Sequence, residues 1–318
     1  CNGTAALETA LHGLGVKAGD EIIMPSFTII SCAIAAIRLG AKPVLVDIDP
    51  ITWNLNPDFL ETRISKKTKV VMPVHVFGHS VDMDPILKLQ KKYKFKILED
   101  TAESHGAEYK NQRCGSLGDC STFSFYANKL ITTGEGGMVL TNNSEIYEKC
   151  LSYKNLYFSK DERFRHEELG YNFRMTNLQA AIGCAQVKRI DEIIDSKISM
   201  GRKYAKQLED INGLRFQEEK NWAKSVYWMY SVELSPSLGL SAEEVRSMLM
   251  KEGIETRPFF RGLHSQPSLQ KLGLFQNESY PNTDHAYKYG FYLPSGMTLK
   301  DSEIRKVTDS LKKVLKNK

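Results

Sequence analysis

The sequence carries six cysteines, at positions 1, 32, 114, 120, 150 and 184, yet no CxxC pair and no regular spacing among them. Neither a zinc site nor a disulfide framework is therefore indicated, and a reducing, cytoplasmic setting fits better. Long apolar runs are also missing. The stretch from Ile29 to Ile37 is broken by Ser31 and falls well short of the roughly 18 residues of a membrane span. The formal charge is +5, but lysines and arginines are scattered, and no basic block alternates with aromatics as a nucleic-acid surface requires. Small molecules bearing phosphate suit this balance better. His75, His79 and His105 lack ligand spacing, so no metal is expected and core or loop roles fit them. No stretch of the given sequence reads as a repeat, a low-complexity tract or a signal peptide. It opens on Cys1-Asn2-Gly3-Thr4 as though inside a domain, so residues upstream are expected.

What is present suits a soluble enzyme. The 318 residues are 42% hydrophobic and 25% charged, enough for one large and one smaller domain. Strand-like runs at Glu21 to Met24, Pro43 to Asp47, Lys69 to Val74, Phe95 to Leu98, Ser121 to Phe125 and Gly137 to Leu140 alternate with helical patterns. Those helices are expected at Thr4 to Leu14, Thr28 to Leu39 and Pro85 to Tyr93, which predicts a doubly wound α/β domain over residues 1–190. A polar, aromatic-rich segment (Lys154 to Phe173) leads into a long helical pattern from Thr176 to Leu208. Residues 191–318 read as a small α+β domain, with a strand at Val226 to Leu234, a helix at Ala242 to Lys251, a short strand near Ile254 and a terminal helix from Lys300.

Three segments carry candidate chemistry. In Asn2-Gly3-Thr4-Ala5-Ala6-Leu7 a glycine and a hydroxyl residue open a helix whose free amides favour an anion; an ordinary helix cap is the competing reading. The run Ile97-Leu98-Glu99-Asp100-Thr101-Ala102-Glu103 is an apolar strand ending in carboxylates, at the edge where α/β sheets place ligands. Asp100 there can hold a positive charge, such as a protonated pyridine nitrogen, or simply cap the strand. Third, Lys129 follows the strand Ser121 to Phe125 and precedes Thr132-Thr133-Gly134-Glu135-Gly136-Gly137, whose glycines let backbone pass close to a ligand. A lone lysine is ordinarily a solvated surface group. The order of anion cap, strand-end carboxylate and post-strand lysine favours a pyridoxal phosphate site instead, with Lys129 holding the cofactor as a Schiff base.

These residues resemble the sugar aminotransferases of the DegT/DnrJ/EryC1/StrS type, on the fold-type I (aspartate aminotransferase-like) scaffold. The resemblance covers nearly the whole chain, including Gly118-Asp119, Gly170-Tyr171-Asn172-Phe173-Arg174-Met175-Thr176 and Leu178-Gln179-Ala180-Ala181. It implies pyridoxal 5'-phosphate on Lys129, Asp100 at the pyridine nitrogen and Glu103 near the phenolic oxygen. It further implies Gly3, Thr4 and Ser124 at the phosphate, and Asn172 reaching the phosphate of a neighbouring subunit, so that a homodimer shares its active sites. Two departures stand out. Where the family often has an aromatic residue stacking on the ring, this chain has Ile29, leaving apolar packing or Phe27 to substitute. Family members also carry a further segment before Asn-Gly-Thr.

The resemblance implies L-glutamate as amino donor and a nucleotide-linked keto-sugar as acceptor. Glu103 together with Gly253-Ile254-Glu255-Thr256-Arg257-Pro258-Phe259-Phe260 looks most like the GDP-perosamine synthases, which implies GDP-4-keto-6-deoxymannose and a product for surface polysaccharide such as the O-antigen of lipopolysaccharide. Another 3- or 4-aminotransferase, or a non-catalytic or truncated relative, is the alternative. Relatives with histidine in place of the lysine catalyse dehydration, and Lys129 argues against that reaction. Arg257 and His264 are candidate contacts to sugar or phosphates, with a packed-loop role as the alternative. Arg174 can meet a donor carboxylate or form an interface salt bridge. Glu135 reads as a backbone-bonding or interface residue rather than a base.

Overall fold

The computed structural model describes residues 1–159 and 161–316; Lys160, in the aromatic-rich segment, and positions 317 and 318 lie outside the described residues. Alternation of helix and strand begins at once, with α1 (Gly3–Gly13), β1 (Glu21–Pro25), α2 (Ser31–Arg38), β2 (Lys42–Val46), β3 (Thr68–Val71), α3 (Met83–Tyr93) and β4 (Lys96–Asp100). A small ribbon of β5 (Glu108–Tyr109) and β6 (Gln112–Arg113) then precedes β7 (Cys120–Ser124), β8 (Gly137–Leu140) and α4 (Ser144–Tyr153). The main sheet has the order β2-β1-β3-β4-β7-β8, parallel throughout except for β8, which runs antiparallel to β7.

Ile22, Ile23, Met24, Val70, Val71, Ile97 and Leu98 are fully buried. A parallel sheet is covered on both faces, so its strands read as continuous apolar runs and were legible as such. Helix α1 packs against β7, β8, α2 and α4. Its one buried charge, Glu8, is matched by Arg38 at 2.8 Å and by the Tyr153 hydroxyl at 2.8 Å.

The helix expected over Thr176 to Leu208 is two helices, α5 (Asn177–Val187) and α6 (Ile190–Leu208), because Arg189 leaves helical geometry at φ −112°, ψ 17°. Their surroundings differ. Helix α5 is partly or fully exposed along its length, and Gln186 near its end exchanges hydrogen bonds of 2.5 and 3.0 Å with the backbone of Thr132. Helix α6 instead gives Ile193 and Ile194 to the core around the large sheet and Met200, Tyr204 and Leu208 to a second core.

The rest of the chain comprises β9 (Leu214–Phe216), β10 (Ala223–Lys224), β11 (Tyr230–Leu234), α7 (Ala242–Lys251), β12 (Arg257–Pro258), α8 (Pro267–Lys271), α9 (Pro281–Tyr289), β13 (Gly290–Leu293) and α10 (Asp301–Lys316). An antiparallel sheet of order β12-β13-β11-β9 shares one core with α6, α7 and α10, and Ile304, Val307, Leu311 and Val314 of α10 form one buried helical stripe. Two expectations shift in this half. Residues Val226 to Met229 are not part of β11, because Tyr227 turns through positive φ (46°) and the Val226 amide donates to the Gly78 carbonyl at 3.0 Å. The short strand expected near Ile254 forms at β12, since the Ile254 amide closes the end of α7 by donating to Leu249 at 2.9 Å. Among the described residues no helix is long and apolar enough to cross a membrane.

Candidate active site

The carboxyl ends of β4 and β7 lie side by side, with Asp100 in register with Thr122. The hairpin that joins β7 to β8 carries Lys129 over this edge, and its neck is closed by Phe125 donating to Gly136 at 2.8 Å and Thr133 donating to Phe125 at 2.9 Å. Two glycines allow the close fit. A Cβ on Gly137 would lie 2.3 Å from the Asn2 carbonyl oxygen, and one on Gly3 would lie 2.9 Å from the Ser124 Cβ. The start of α1 is thereby pressed against the end of β7 and the start of β8.

The cap of α1 is Asn2, whose Oδ1 accepts the Ala5 amide at 2.8 Å. Gly3 and Thr4 thus sit in the first turn, where amides have no acceptor within the helix and the positive end of the dipole favours an anion. The Thr4 hydroxyl donates to Ser31 at 2.8 Å. Gly3, Thr4, Asp100, Glu103, Ser124 and Lys129 all line one cavity of about 430 Å³.

Within it Lys129 is buried, its side chain only 11% exposed, which excludes the surface reading. Its Nζ lies 3.9 Å from Glu103 Oε1 and 4.0 Å from the centre of the Trp228 ring. Burial pulls its pKa down, against the opposing pull of the Glu103 and Asp100 carboxylates. Burial also raises Glu103, to about 7, although Lys129 and the Phe77 amide (2.9 Å to Oε2) favour its charged form. Asp100 is likewise raised by burial, while its Oδ1 accepts the Ala102 amide at 3.0 Å and its Oδ2 accepts the Cys32 thiol at 3.3 Å. Asp100 therefore does cap the strand end, as one reading held, and also lines the cavity.

The other sequence candidates lie elsewhere. Asn172 and Arg174 are exposed and away from this cavity, tied together by Arg174 Nε donating to Asn172 Oδ1 at 2.9 Å, with Arg174 also donating to Asn155 at 3.0 Å. Arg257 is exposed and paired with Glu255 at 3.0 Å, on a wider groove that shares Lys129, Trp228 and Tyr292 with the cavity. His264 is buried against Asp284 (2.9 Å) and the Tyr280 ring, outside the residues that line the cavity. Glu135 stands at the cavity wall, exposed, and its backbone carbonyl accepts the Thr133 hydroxyl at 2.6 Å. Ile29 lines the cavity, whereas Phe27 is buried in an aromatic cluster with Phe77, Phe259 and Phe260.

Of the three histidines, His75 pairs with buried Glu99 at 3.1 Å, His79 bonds the Ser80 carbonyl at 2.7 Å, and His105 stacks between Phe123 and Phe125. Among the described residues no cluster has the make-up of a metal site. Sequence reading missed Cys32 and Trp228. Cys32 follows no motif; for Trp228 the only signal was an aromatic inside the strand expected at Val226 to Leu234.

The model of the DegT/DnrJ/EryC1/StrS aminotransferase family matches residues 1–312. The chain belongs to this family. It is 39% identical over 315 residues to the GDP-perosamine synthase of Caulobacter vibrioides, covering 99% of this chain and 84% of that protein. It is 37% identical over 317 residues to the GDP-perosamine synthase of Escherichia coli O157:H7, covering 100% and 85%. The structure of Spr1654 from Streptococcus pneumoniae in its PLP form superposes with a TM-score of 0.91 at 27% identity, covering 99% of this chain and 86% of that one. The protein is a pyridoxal-phosphate-dependent aminotransferase of fold type I, as expected.

The residues present suit that cofactor. An amine, a carboxylate and an anion-binding helix start face one buried cavity, and the closeness of Gly3 to Ser124 puts a hydroxyl beside the first-turn amides.

Proposed function

We propose that this enzyme moves an amino group from L-glutamate to a nucleotide-linked keto-sugar, with GDP-4-keto-6-deoxymannose as acceptor. The observation that carries the reading is the buried amine of Lys129 between Glu103 and Trp228, in one cavity with Asp100 and the start of α1. The choice of acceptor is supported by relatives named GDP-perosamine synthase at 35% to 39% identity. On this reading the product feeds a surface polysaccharide and the enzyme works in the cytoplasm, which agrees with six free cysteines.

Pyridoxal phosphate, when bound, supplies an electron sink that acidifies the donor's α-carbon. In this proposal Lys129 would be its tether, and the freed Nζ would carry a proton from the donor's α-carbon to the cofactor within one half-reaction and from the cofactor to the sugar carbon in the other. That amine must be neutral to act as base, and its burial promotes neutrality. Asp100 would pair with the pyridine nitrogen, and its negative charge would favour the protonated ring. Glu103 would stand near the phenolic oxygen, and Gly3, Thr4 and Ser124 would hold the phosphate. Arg174, Arg257 and His264 are the proposed substrate contacts, of which Arg257 is the one on the groove adjoining Lys129.

The test is a panel of nucleotide-linked 4-keto and 3-keto sugars offered with glutamate, followed by detection of the amino sugar. Amination of GDP-4-keto-6-deoxymannose is expected. Turnover confined to 3-keto sugars would overturn the choice of acceptor.

The same proposal assigns Asn172 to the cofactor phosphate of a second copy, in a homodimer with shared sites. Supporting this, Leu178, Ile182, Met138 and Leu140 expose apolar surface on α5 and β8. Asn172→Ala is expected to weaken cofactor retention by about tenfold, the loss of one or two hydrogen bonds to a charged group. Unchanged retention in a dimer, measured by dialysis and absorbance, would remove Asn172 from that role.

A further inference from the structure

Lys197, on α6, is 3% exposed. Its ammonium donates to the Trp228 carbonyl at 2.8 Å and to the Ser295 carbonyl at 2.5 Å, and lies 3.9 Å from the Met200 sulfur. These partners are all neutral. A buried charge held by neutral groups costs stability, and burial accordingly lowers the lysine's pKa to about 7. A hydrophobic side chain of similar length would avoid that cost but would leave both carbonyls without this donor, so the worth of Lys197 lies in what its two hydrogen bonds hold in place.

The position of Trp228 supplies another account. Its indole Nε1 donates to the Asn128 carbonyl at 2.8 Å, and its ring lies 4.0 Å from Lys129 Nζ. The tryptophan thus grips the reactive lysine twice, through the backbone turn and through the ring. Its own backbone follows Tyr227, a residue at positive φ, and precedes the paired part of β11. The Pro294–Ser295 turn has further anchors: the Tyr204 hydroxyl donates to the Pro294 carbonyl at 2.8 Å, and the Tyr230 amide donates to the Ser295 hydroxyl at 2.9 Å. Lys197 ties the Trp228 carbonyl to that anchored turn.

We infer that Lys197 is a positioning residue for amino transfer, fixing Trp228 so that the indole orients Nζ of Lys129. The inference rests on Lys129 being the reactive amine. Lys197→Met removes both hydrogen bonds while keeping the volume. Small displacements of a reacting group lower turnover steeply, so kcat is expected to fall by about tenfold or more with KM for the amino donor within about twofold. The melting temperature should change little, because removal of a buried charge is offset by two carbonyls that lose their donor. Lys197→Arg, able to reach the same carbonyls, should recover most of the loss.

A second readout avoids turnover. The apo chain is mixed with pyridoxal phosphate and treated with borohydride, and the rate of label fixed on Lys129 is followed; it should fall in Lys197→Met by a factor similar to kcat. Trp228→Phe should reproduce the defect, and the double variant should be no worse than either single one, as expected when two residues act through one contact. Labelling and kcat within about twofold of the parent in Lys197→Met, or multiplying losses in the double variant, would overturn the inference. If Lys197→Met does not fold, Lys197→Gln, which keeps one donor, is compared with Trp228→Phe in the same way. Absence of label in the parent protein would instead sink the reading of Lys129 itself.

Discussion

Asp100→Asn is expected to lower kcat by about a thousandfold while leaving the fold intact, since it removes the charge that favours a protonated pyridine ring. Asparagine keeps the shape of the site, and its Oδ1 can still accept the Ala102 amide that Asp100 accepts at 3.0 Å. Burial raises the pKa of Asp100, so the carboxylate is held in a setting where its charge is costly and poorly screened. A charge in such a setting acts strongly on a nearby cation. Steady-state kinetics should show the loss in kcat rather than in KM for the sugar, because the ring's electronic state matters to the proton transfer and little to sugar binding. An Asp100→Asn enzyme within about tenfold of the parent would remove Asp100 from the proposed role.

Lys129→Ala is expected to have the largest effect, a fall in kcat of about 10⁴-fold or more, since one amine is lost both as tether and as proton carrier. The protein should still fold. The removed ammonium is buried, and its nearest carboxylate, Glu103, already has a pKa raised to about 7 and can remain protonated without its partner. A small exogenous amine such as methylamine should restore part of the activity by entering the space that the side chain leaves. Full activity in Lys129→Ala would contradict the proposal, and a failure to fold would contradict the argument about Glu103.

The parts of this enzyme that were legible in the sequence share a physical reason. The buried parallel strands β1, β3 and β4 appear as apolar runs because both faces of the sheet are covered. The cavity edge was legible at Asp100 and Lys129, which follow strand ends where few other constraints choose the residue, while Glu103 and Ser124 were singled out through the family resemblance. Periodicity was less informative where two helices follow each other in register. The break at Arg189 carries neither glycine nor proline and reflects the different surroundings of α5 and α6. Strands such as β10 and β12, two residues each, are too short for any alternating pattern to emerge.

The cavity wall was the least legible part. Trp228 reaches the cavity from the approach to β11, and Cys32, on α2 behind the cavity, bonds Asp100; both are distant in sequence from the residues they touch. Ile29 lines the cavity, and only packing distinguishes its wall position from that of Phe27, whose place is filled by the Phe77 and Phe259 rings. His264 shows the reverse case. In sequence it was itself a candidate contact to sugar or phosphates, and in the fold its ring is engaged by Asp284 and Tyr280.

The central claim is that Lys129 is the reactive amine, and covalent mapping tests it most directly. The purified protein is loaded with pyridoxal phosphate, reduced with borohydride, digested and analysed by mass spectrometry. Pyridoxyl label on the peptide containing Lys129, absent from Lys129→Ala, is the predicted result; label fixed instead on another lysine such as Lys197, and undiminished in Lys129→Ala, would contradict it.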